Sequence, residues 1–199
     1  MPSLTRLNPI SVRRLILALA FGALVSAPAS AGPIPFDEWL EFGFTEAGTP
    51  ATGCDPADPA GPFCTPSSGT PSTFLDAPPW TFTASGAGAT LRITDAFFSG
   101  DRFEIFDFGV SLGLTSLPAL DVNCGDDPVP CFANAAMSTG LFVLAAGNHS
   151  LTIIPTAALE GGGAGYFQVE GAAPVVPEPA TLTLLATGLI LSVRRRRAS

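Results

Sequence analysis

The sequence predicts an all-β fold, a β-sandwich of the jelly-roll type, with an apolar segment near each end of the chain. Short runs in which apolar and polar residues alternate recur through the middle of the sequence, separated by turn-forming residues. Alternation of this kind is typical of half-buried strands. No long amphipathic helix and no internal repeat is evident between the two ends. Seven or eight short strands therefore favour two packed antiparallel sheets.

Residues 1–31 have the layout of a secretory signal peptide. Two adjacent arginines precede the apolar run Leu15 to Val25, and Ala29-Ser30-Ala31 forms a small-residue cleavage site. We expect an N-terminal signal helix that is removed, so that the mature chain begins at Gly32. Residues 32–175 then form one β-sandwich domain, which is long enough to bury a single core.

The first predicted strand runs from Phe36 to Phe44. The segment Thr49 to Pro79 follows it and is dense in proline, glycine, serine and threonine, which predicts a long irregular excursion. One strand cannot bury its apolar face alone, so the excursion lies within the domain and does not separate two domains.

Four further strands are indicated by apolar residues two positions apart. Trp80 and Phe82 are two positions apart and therefore lie on the same face of the strand, so we assign Trp80 to the core. The apolar pairs are Trp80 with Phe82, Leu91 with Ile93 and Phe103 with Ile105, and Ser111 to Leu114 forms a fourth strand after a short turn.

The last three strands are predicted in the C-terminal third of the domain. The uninterrupted apolar run Leu141 to Ala145 indicates a central strand, and Ala146-Gly147-Asn148 is expected to form the tight turn of a hairpin. The next strand alternates from Leu151 onward. In the final strand Phe167 alternates with polar neighbours, which places Tyr166 on the outer face.

Four cysteines occur as two close pairs, Cys54 with Cys64 and Cys124 with Cys131. Three disulfide connectivities are possible, and a zinc site of four thiolates is an alternative. An exported protein meets an oxidising environment, and the spacings lack the CxxC pattern of metal sites. We therefore predict two local disulfides, each of which closes a short loop and stabilises the fold by about 2 to 3 kcal/mol.

The predicted domain is strongly acidic. Only Arg92 and Arg102 of the nine arginines lie within residues 32–175, against sixteen acidic residues, which gives a formal charge of −14. Nucleic-acid binding needs a basic surface that neutralises phosphates, so we expect no nucleic-acid partner. Direct adhesion to anionic lipid is disfavoured for the same reason. Solubility after export is the simplest interpretation of the acidity.

Two groups of oxygen-bearing side chains are candidates for a calcium site, because calcium prefers carboxylate and carbonyl oxygens. The EF-hand spacing is absent, and aspartate is also common in turns for structural reasons. Both interpretations stay open. The first group is Asp95, Asp101, Glu104 and Asp107 around the turn Ser99-Gly100, and the second is Asp121, Asn123, Asp126 and Asp127 in the second cysteine loop.

Carbohydrate contact is another candidate function, because aromatic rings stack on the apolar faces of sugars. Trp39, Trp80 and Tyr166 are the ring types suited to it. Tyr166 is the better candidate because Trp80 is in phase with the core. A structural tyrosine at a sheet edge is the alternative interpretation of Tyr166.

No catalytic constellation stands out. His149 is the single histidine of the chain, and its place on the predicted hairpin turn explains it without a catalytic role. A glycosidase needs two carboxylates across a cleft, and no pair of acidic residues is marked for that purpose. We therefore expect a non-enzymatic protein, with a polysaccharide hydrolase as an alternative.

Residues 176–199 form three segments in a fixed order. The motif Val176, Pro177, Glu178 and Pro179 comes first, and an uncharged run from Ala180 to Val193 follows. As a helix this run would be about 21 Å long, which is short of a hydrocarbon core about 30 Å thick. The run therefore predicts a short, marginal transmembrane helix. A basic cluster that holds the terminus on the cytoplasmic side completes the tail: Arg194, Arg195, Arg196 and Arg197.

This order of a Pro-Glu-Pro motif, a short apolar helix and an arginine cluster resembles the PEP-CTERM sorting signal of Gram-negative bacteria. The resemblance implies recognition by exosortase, a membrane protease-transpeptidase, typically in species that make extracellular polysaccharide. It implies that Pro177, Glu178 and Pro179 are read by the sortase, and it implies no chemistry by this protein. The body of the chain is similar to the β-rich domain that often precedes such a tail. An ordinary tail anchor is the alternative.

The sequence thus predicts an exported, non-enzymatic protein of the cell surface or extracellular matrix. Exosortase and the inner membrane, as a transient anchor, are the expected partners, and extracellular polysaccharide is a further candidate. No cofactor other than calcium is considered. The alternatives for the domain are a calcium-dependent carbohydrate-binding module and a polysaccharide hydrolase.

Replacing Glu178 by alanine should cause a larger, membrane-retained form to accumulate in cells that contain exosortase, because the sortase would no longer recognise the motif. Immunoblots of membrane and medium fractions measure this accumulation. Glu38→Ala makes the same change outside the motif and serves as the control. Release of the Glu178 variant at the wild-type rate would favour a plain tail anchor.

Overall fold

Two β-sheets pack face to face in the computed structural model, which describes residues 33–159 and 161–171. The prediction of an all-β fold with two sheets is confirmed. The elements in chain order are β1 (Trp39–Phe44), β2 (Ser72–Phe74), β3 (Trp80–Ala84), β4 (Ala89–Asp95), β5 (Arg102–Asp107), β6 (Val110–Leu114), α1 (Pro128–Ala133), β7 (Thr139–Leu144), β8 (Gly147–Ala157) and β9 (Gly163–Glu170).

The strand order is that of a jelly roll. One sheet has the order β2-β1-β9-β4-β7 and the other has the order β3-β8-β5-β6. The strands pair antiparallel apart from β1 with β2, which are parallel. The turns β3–β4, β5–β6 and β7–β8 lie at one end of the sandwich and are short. The long connections β1–β3 and β6–β7 lie at the other end and carry the four cysteines.

The space between the sheets holds an aromatic core. Apolar residues that alternate along the strands point into it, and Phe42, Trp80 and Phe103 are fully buried. The Phe42 ring lies 5.3 Å from the ring of Phe103, edge to face, and 6.2 Å from that of Phe167. Such aromatic pairs add stability beyond the area they bury. The prediction that Trp80 belongs to the core is confirmed.

The outer face of β1 and β9 is also buried, which the sequence did not indicate. Trp39, Ala164 and Tyr166 form a second apolar cluster together with the disulfide of Cys54 and Cys64. Tyr166 is completely buried, so the expectation of a ring on an exposed outer face is wrong. The long connections fold back over this face of the sheet, and strand periodicity alone cannot show such a cover.

β7 is an edge strand, and the prediction of a central strand is wrong. It lies at the end of its sheet beside β4, and Leu141 and Val143 are 59% and 83% exposed. Phe142 between them packs against the core. The run is apolar throughout because apolar residues also occupy its outward positions, which is common at protein surfaces.

The turn after β7 does not form a hairpin. β7 pairs with β4, whereas β8 pairs with β3 and β5, so residues 145–146 carry the chain from one sheet to the other. The prediction failed because a turn motif shows where the chain reverses and not which sheet it joins. β5 and β6 form a hairpin across the short turn that was predicted before Ser111, and Phe108 and Gly109 in this turn have positive φ angles of 48° and 77°. Two positive φ angles suit the twist of a tight hairpin.

The connection between β1 and β3 follows the predicted irregular course and contains the short strand β2. β1 itself begins at Trp39 and not at Phe36, because Asp37 has a positive φ angle of 61° that interrupts the extended backbone. The Asp37 N–H donates to the carbonyl of Val169 at 2.9 Å. The start of the domain is thereby fixed beside the end of β9.

Both predicted disulfides are present. Cys54 pairs with Cys64 and Cys124 pairs with Cys131, with Cα–Cα distances of 5.6 and 5.0 Å. These four are all the cysteines of the chain, so the alternative of a four-thiolate zinc site is excluded.

The signal peptide at 1–31 and the sorting tail at 176–199 lie outside the described residues. The signal helix and the C-terminal transmembrane helix therefore stay predictions. Within residues 33–159 and 161–171, no helix has the length and apolar character needed to cross a membrane.

Replacing Phe42 by alanine should lower the free energy of unfolding by about 3 to 5 kcal/mol, because it leaves a cavity among the buried rings of the core. Val143→Ala is the matched control on an exposed position and should change the stability by less than about 0.5 kcal/mol. Denaturant unfolding of both variants measures the difference. Similar losses in the two variants would contradict the description of the core.

Candidate functional site

A cleft opens at the end of the sandwich that lies opposite the exit of the C-terminal tail. Gly163 at the start of β9 contributes to its floor, whereas Gly171 follows the last residue of the same strand. A strand of eight residues spans roughly 23 Å. The beginning of the domain is also at the tail end, where the Gly171 N–H donates to the Asp37 carboxylate at 3.4 Å. The cleft therefore faces away from both chain ends of the domain.

The cleft has two adjoining lobes that share Phe97 and the segment Gly162 to Ala164. The large lobe has a volume of about 420 Å³ and the small lobe about 210 Å³. Small-molecule sites commonly measure roughly 300–1,000 Å³, so the two lobes together are large enough for a ligand. Phe44, Thr45, Pro62, Phe63 and Thr65 also line the large lobe, and Ala96, Phe98 and Asp101 also line the small lobe.

The loop closed by the first disulfide forms one wall of the large lobe. Phe63 precedes Cys64 in this loop and is 82% exposed. The disulfide closes the loop, and the buried carboxylate of Asp58 accepts the N–H of Gly53, just before the loop, at 2.9 Å and that of Ala60, within it, at 3.0 Å. An exposed ring on a constrained loop loses little conformational freedom when it binds a ligand.

The segment after β4 forms the opposite wall. Phe97 has a positive φ angle of 57°, which is an uncommon conformation for a bulky residue. Two backbone hydrogen bonds to the second disulfide loop hold it there: its N–H donates to Gly125 at 2.9 Å, and its carbonyl accepts from Cys124 at 2.8 Å. Phe98 beside it is 58% exposed. Strained residues that the surroundings hold in place are concentrated at ligand sites.

Glycines form the floor where β9 begins. A Cβ atom at Gly162 would lie 2.9 Å from the carbonyl oxygen of Phe44, and one at Gly163 would lie 3.1 Å from Asp101 Oδ2. Side chains at these positions would press against the backbone of β1 and against the carboxylate. Glycine therefore keeps the floor of the cleft open.

Two aspartates lie side by side at the small lobe, Asp101 in its lining and Asp95 behind it. Asp95 is fully buried, and its carboxylate accepts the N–H of Ala96 at 2.9 Å and that of Asp101 at 3.2 Å. Burial raises the pKa of Asp95 to about 8, and the negative charge of Asp101 adds to the rise. The carboxylate of Asp101 accepts the N–H of Leu159 at 2.8 Å and lines the lobe. Asp95 orders the loop, and Asp101 presents an acidic group to the cleft.

Another buried acid lies under the first disulfide. Glu41 is fully buried, and its Oε2 accepts the hydroxyl of Ser72 at 3.0 Å, whereas Oε1 has no hydrogen-bond partner in the described part of the chain. Burial raises the pKa of Glu41 to about 7, the Ser72 hydrogen bond opposes the rise, and the Asp126 charge adds to it. The hydroxyl of neighbouring Tyr166 donates to the Asp126 carbonyl at 3.1 Å. Glu41 lines neither lobe of the cleft.

His149 is buried and not exposed on a turn as expected. Its Nδ1 lies 2.8 Å from Asp107 Oδ2, its Nε2 lies 2.9 Å from the carbonyl oxygen of Ala145, and its ring stacks on Phe82. The other oxygen of Asp107 accepts the N–H of Ser150 at 2.9 Å. Both ring nitrogens therefore contact protein oxygens, which leaves neither of them to act as a base on a substrate. The contact between His149 and Asp107 links β8 to β5.

The structure does not bring the predicted calcium ligands together. Glu104 accepts the Ser111 hydroxyl at 2.6 Å, and Asp107 contacts His149, whereas Asp95 and Asp101 form a pair at the small lobe of the cleft. In the second group, Asp121 is exposed, Asn123 accepts the N–H of Gly125, Asp126 accepts the Ser68 hydroxyl and Asp127 caps α1. Among the described residues, the one trio with metal-ligand spacing is Glu41, Cys54 and Cys64, and its two sulfurs are bonded to each other. Calcium binding stays an untested prediction, with no cluster of three carboxylates in these residues to support it.

The aromatic residues proposed for carbohydrate contact do not line the cleft. Trp39, Trp80 and Tyr166 are all buried in the two apolar clusters. The exposed or half-exposed rings that line the cleft belong to Phe63, Phe97 and Phe98. One feature of the sequence could have identified these three phenylalanines: they lie outside the predicted strands, beside a cysteine or a turn. An aromatic residue in a polar loop does not belong to the buried face of a strand, so its ring can be exposed.

Comparison with known proteins identifies the tail alone. Residues 175–197 match the family model of the PEP-CTERM protein-sorting motif, so the resemblance of the tail is confirmed. No curated protein and no solved structure matches the chain. The motif indicates an exported protein that is targeted by exosortase and processed at the membrane before it reaches the cell surface. The matched segment begins four residues after Gly171.

The buried carboxyl group of Glu41 should make the stability of the domain fall as the pH rises from 4.5 to about 7. In this range the folded state holds a proton that the unfolded chain has lost, so raising the pH favours unfolding. Glu41→Gln removes this titration and should reduce the slope to the part that Asp95, whose pKa is raised to about 8, contributes, whereas Glu38→Gln, at an exposed position, should leave the slope unchanged. Denaturant unfolding across the pH range measures the slopes. Equal slopes for wild type and Glu41→Gln would contradict the assignment.

Proposed function

We propose that this protein is a non-catalytic binding module that exosortase delivers to the cell surface or extracellular matrix, where the cleft holds an extracellular polysaccharide. The observation that carries the proposal is the set of three exposed or half-exposed phenylalanine rings, Phe63, Phe97 and Phe98, around one cleft. Rings of this kind can pack on the apolar faces of sugar units. The open shape of the cleft suits a chain that continues beyond it.

The position of the cleft supports this role. The sorting motif begins four residues after Gly171, at the end of the sandwich opposite the cleft. The predicted apolar run begins at Ala180, nine residues after Gly171, and nine residues span at most about 32 Å, so a membrane anchor in the tail would hold the near end of the domain within that distance of the bilayer. The cleft would then point outward, where a polymer in the extracellular space can reach it both before and after processing.

The chemistry of the cleft supports binding more than catalysis. Among its described lining residues, Asp101 is the one ionisable side chain. Hydrolysis of a glycosidic bond ordinarily uses two carboxyl groups on opposite sides of that bond. Asp95 is fully buried behind the lobe and engaged with backbone N–H groups, so it has no line of approach to a substrate.

The proposal predicts that the exported protein binds at least one of chitin, cellulose and xylan, and that Phe63→Ala or Phe97→Ala weakens this binding roughly tenfold through the loss of a stacking ring. Sedimentation with the insoluble polymers measures the affinity. Phe108→Ala is the matched control, because Phe108 is 66% exposed in a turn at the opposite end of the sandwich. Failure to bind any of the three polymers, or equal binding by all variants, would contradict the proposal.

A measurement of reducing ends distinguishes the module from a polysaccharide hydrolase. The protein should release none from the polymers that it binds. Release that disappears in Asp101→Asn would replace the binding role with hydrolysis, because Asp101 is the carboxylate that lines the cleft.

A further inference from the structure

We infer that Cys64 is a site of thiol–disulfide exchange, at which a thiol that enters the large lobe of the cleft opens the Cys54–Cys64 disulfide while Glu41 protonates the departing Cys54 sulfur. The inference concerns a further activity and does not depend on a bound polysaccharide. Three features carry it: the different surroundings of the two sulfurs, a buried carboxyl group beside them, and a hydroxyl group that connects this carboxyl group to the surface.

The two cysteines of this disulfide have different surroundings. Cys64 lines the large lobe beside the exposed ring of Phe63, whereas Cys54 is fully buried and lines neither lobe. The Cys54 Sγ lies 3.6 Å from the main-chain carbonyl oxygen of Glu41. Exchange begins when a thiolate attacks one sulfur and the other sulfur leaves. A thiolate in the cleft meets Cys64, so Cys54 is the leaving group.

A buried carboxyl group lies beside both sulfurs. One carboxyl oxygen of Glu41 and the sulfurs of Cys54 and Cys64 lie within 4.8 Å of one another. Glu41 is fully buried, and its Oε1 has no hydrogen-bond partner among the described residues. Burial raises the pKa of Glu41 to about 7, so the carboxyl group holds a proton at slightly acidic pH. Burial opposes the formation of a thiolate at Cys54, and a proton supplied by Glu41 removes this obstacle.

The groups around Glu41 leave it as the proton donor. Tyr166 on β9 and Asp126 of the second disulfide loop face it, and Asp127 of the same loop adds to the negative charge around Tyr166. Burial raises the pKa of Tyr166, and its hydroxyl donates to the Asp126 carbonyl at 3.1 Å, so this hydroxyl does not serve the sulfurs. The Ser72 hydroxyl donates to Glu41 Oε2 at 3.0 Å, and Ser72 is half-buried. A proton can therefore return to Glu41 from water through Ser72.

The exchange step balances with the thiol as the one co-reactant. The electron pair of the incoming thiolate forms a bond to Cys64 Sγ, and the electron pair of the Cys54–Cys64 bond leaves with Cys54 Sγ, which takes the proton of Glu41. The incoming sulfur is thereby oxidised to a disulfide, and Cys54 is reduced to a thiol. Water then restores the proton of Glu41. The product is a mixed disulfide at Cys64, and the loop that carries Phe63 is no longer closed.

The test measures how fast 2-mercaptoethanol opens each disulfide of the full-length protein in mild detergent. Rapid alkylation and peptide mapping locate the mixed disulfide, and each rate is divided by the concentration of the reagent's thiolate. We expect the mixed disulfide at Cys64, and a corrected rate that falls about tenfold between pH 6 and pH 8 as Glu41 loses its proton. The Cys124–Cys131 disulfide is the internal control, because no described carboxylate lies within 4.8 Å of both its sulfurs. Its corrected rate should not change with pH.

Glu41→Gln has no acidic proton and should open roughly tenfold more slowly at pH 6, with no further fall toward pH 8, whereas Glu38→Gln should match the wild type. Opening of Glu41→Gln at the wild-type rate, or a mixed disulfide at Cys54, would overturn the inference. So would a corrected wild-type rate that stays constant or rises with pH, since a rise indicates exposure of the disulfide by local unfolding. The wild-type results need no variant, so a folding defect in Glu41→Gln leaves the test decisive.

Discussion

The burial of both faces of the β1–β9 pair is the constraint on which the rest of the structure depends. The inner face carries Phe42 and Phe167 into the aromatic core between the sheets. The outer face carries Trp39 and Tyr166 and is covered by the two long connections. An outer face with rings of this size would expose a large apolar area to water without that cover. The connections therefore complete the fold and do not merely join its strands.

Covering the outer face also creates the cleft. The Cys54–Cys64 disulfide closes a loop in the β1–β3 connection, and the Cys124–Cys131 disulfide closes a loop in the β6–β7 connection. At the start of β9 a gap remains between Phe63 of the β1–β3 connection and Phe97 of the segment between β4 and β5, which the second disulfide loop holds by hydrogen bonds. The strained backbone of Phe97 is stabilised by hydrogen bonds to the second loop. Structure and candidate function thus depend on the same two loops.

The sequence predicted the features that arise from local pattern. The strands, the core position of Trp80 and both disulfides follow from alternation and proximity along the chain. The errors concern relations between distant segments. The edge position of β7, the crossing after it and the burial of Tyr166 depend on which sheet or loop lies next to each residue, and periodicity carries no such information. The residues of the cleft were missed for the same reason, since residues 44, 63, 97 and 163 meet only in the folded domain.

The central claim is that the disulfide-closed loops, which cover the outer face of β1 and β9, also hold the aromatic walls of the cleft in a binding geometry. The most direct test is to replace Cys124 and Cys131 together by serine and to measure polysaccharide binding and core stability in parallel. The account predicts cooperative unfolding with a loss of roughly 2 to 3 kcal/mol and a much weaker affinity, because Phe97 would no longer be held in its strained conformation. Wild-type affinity in a variant without this disulfide would contradict the account.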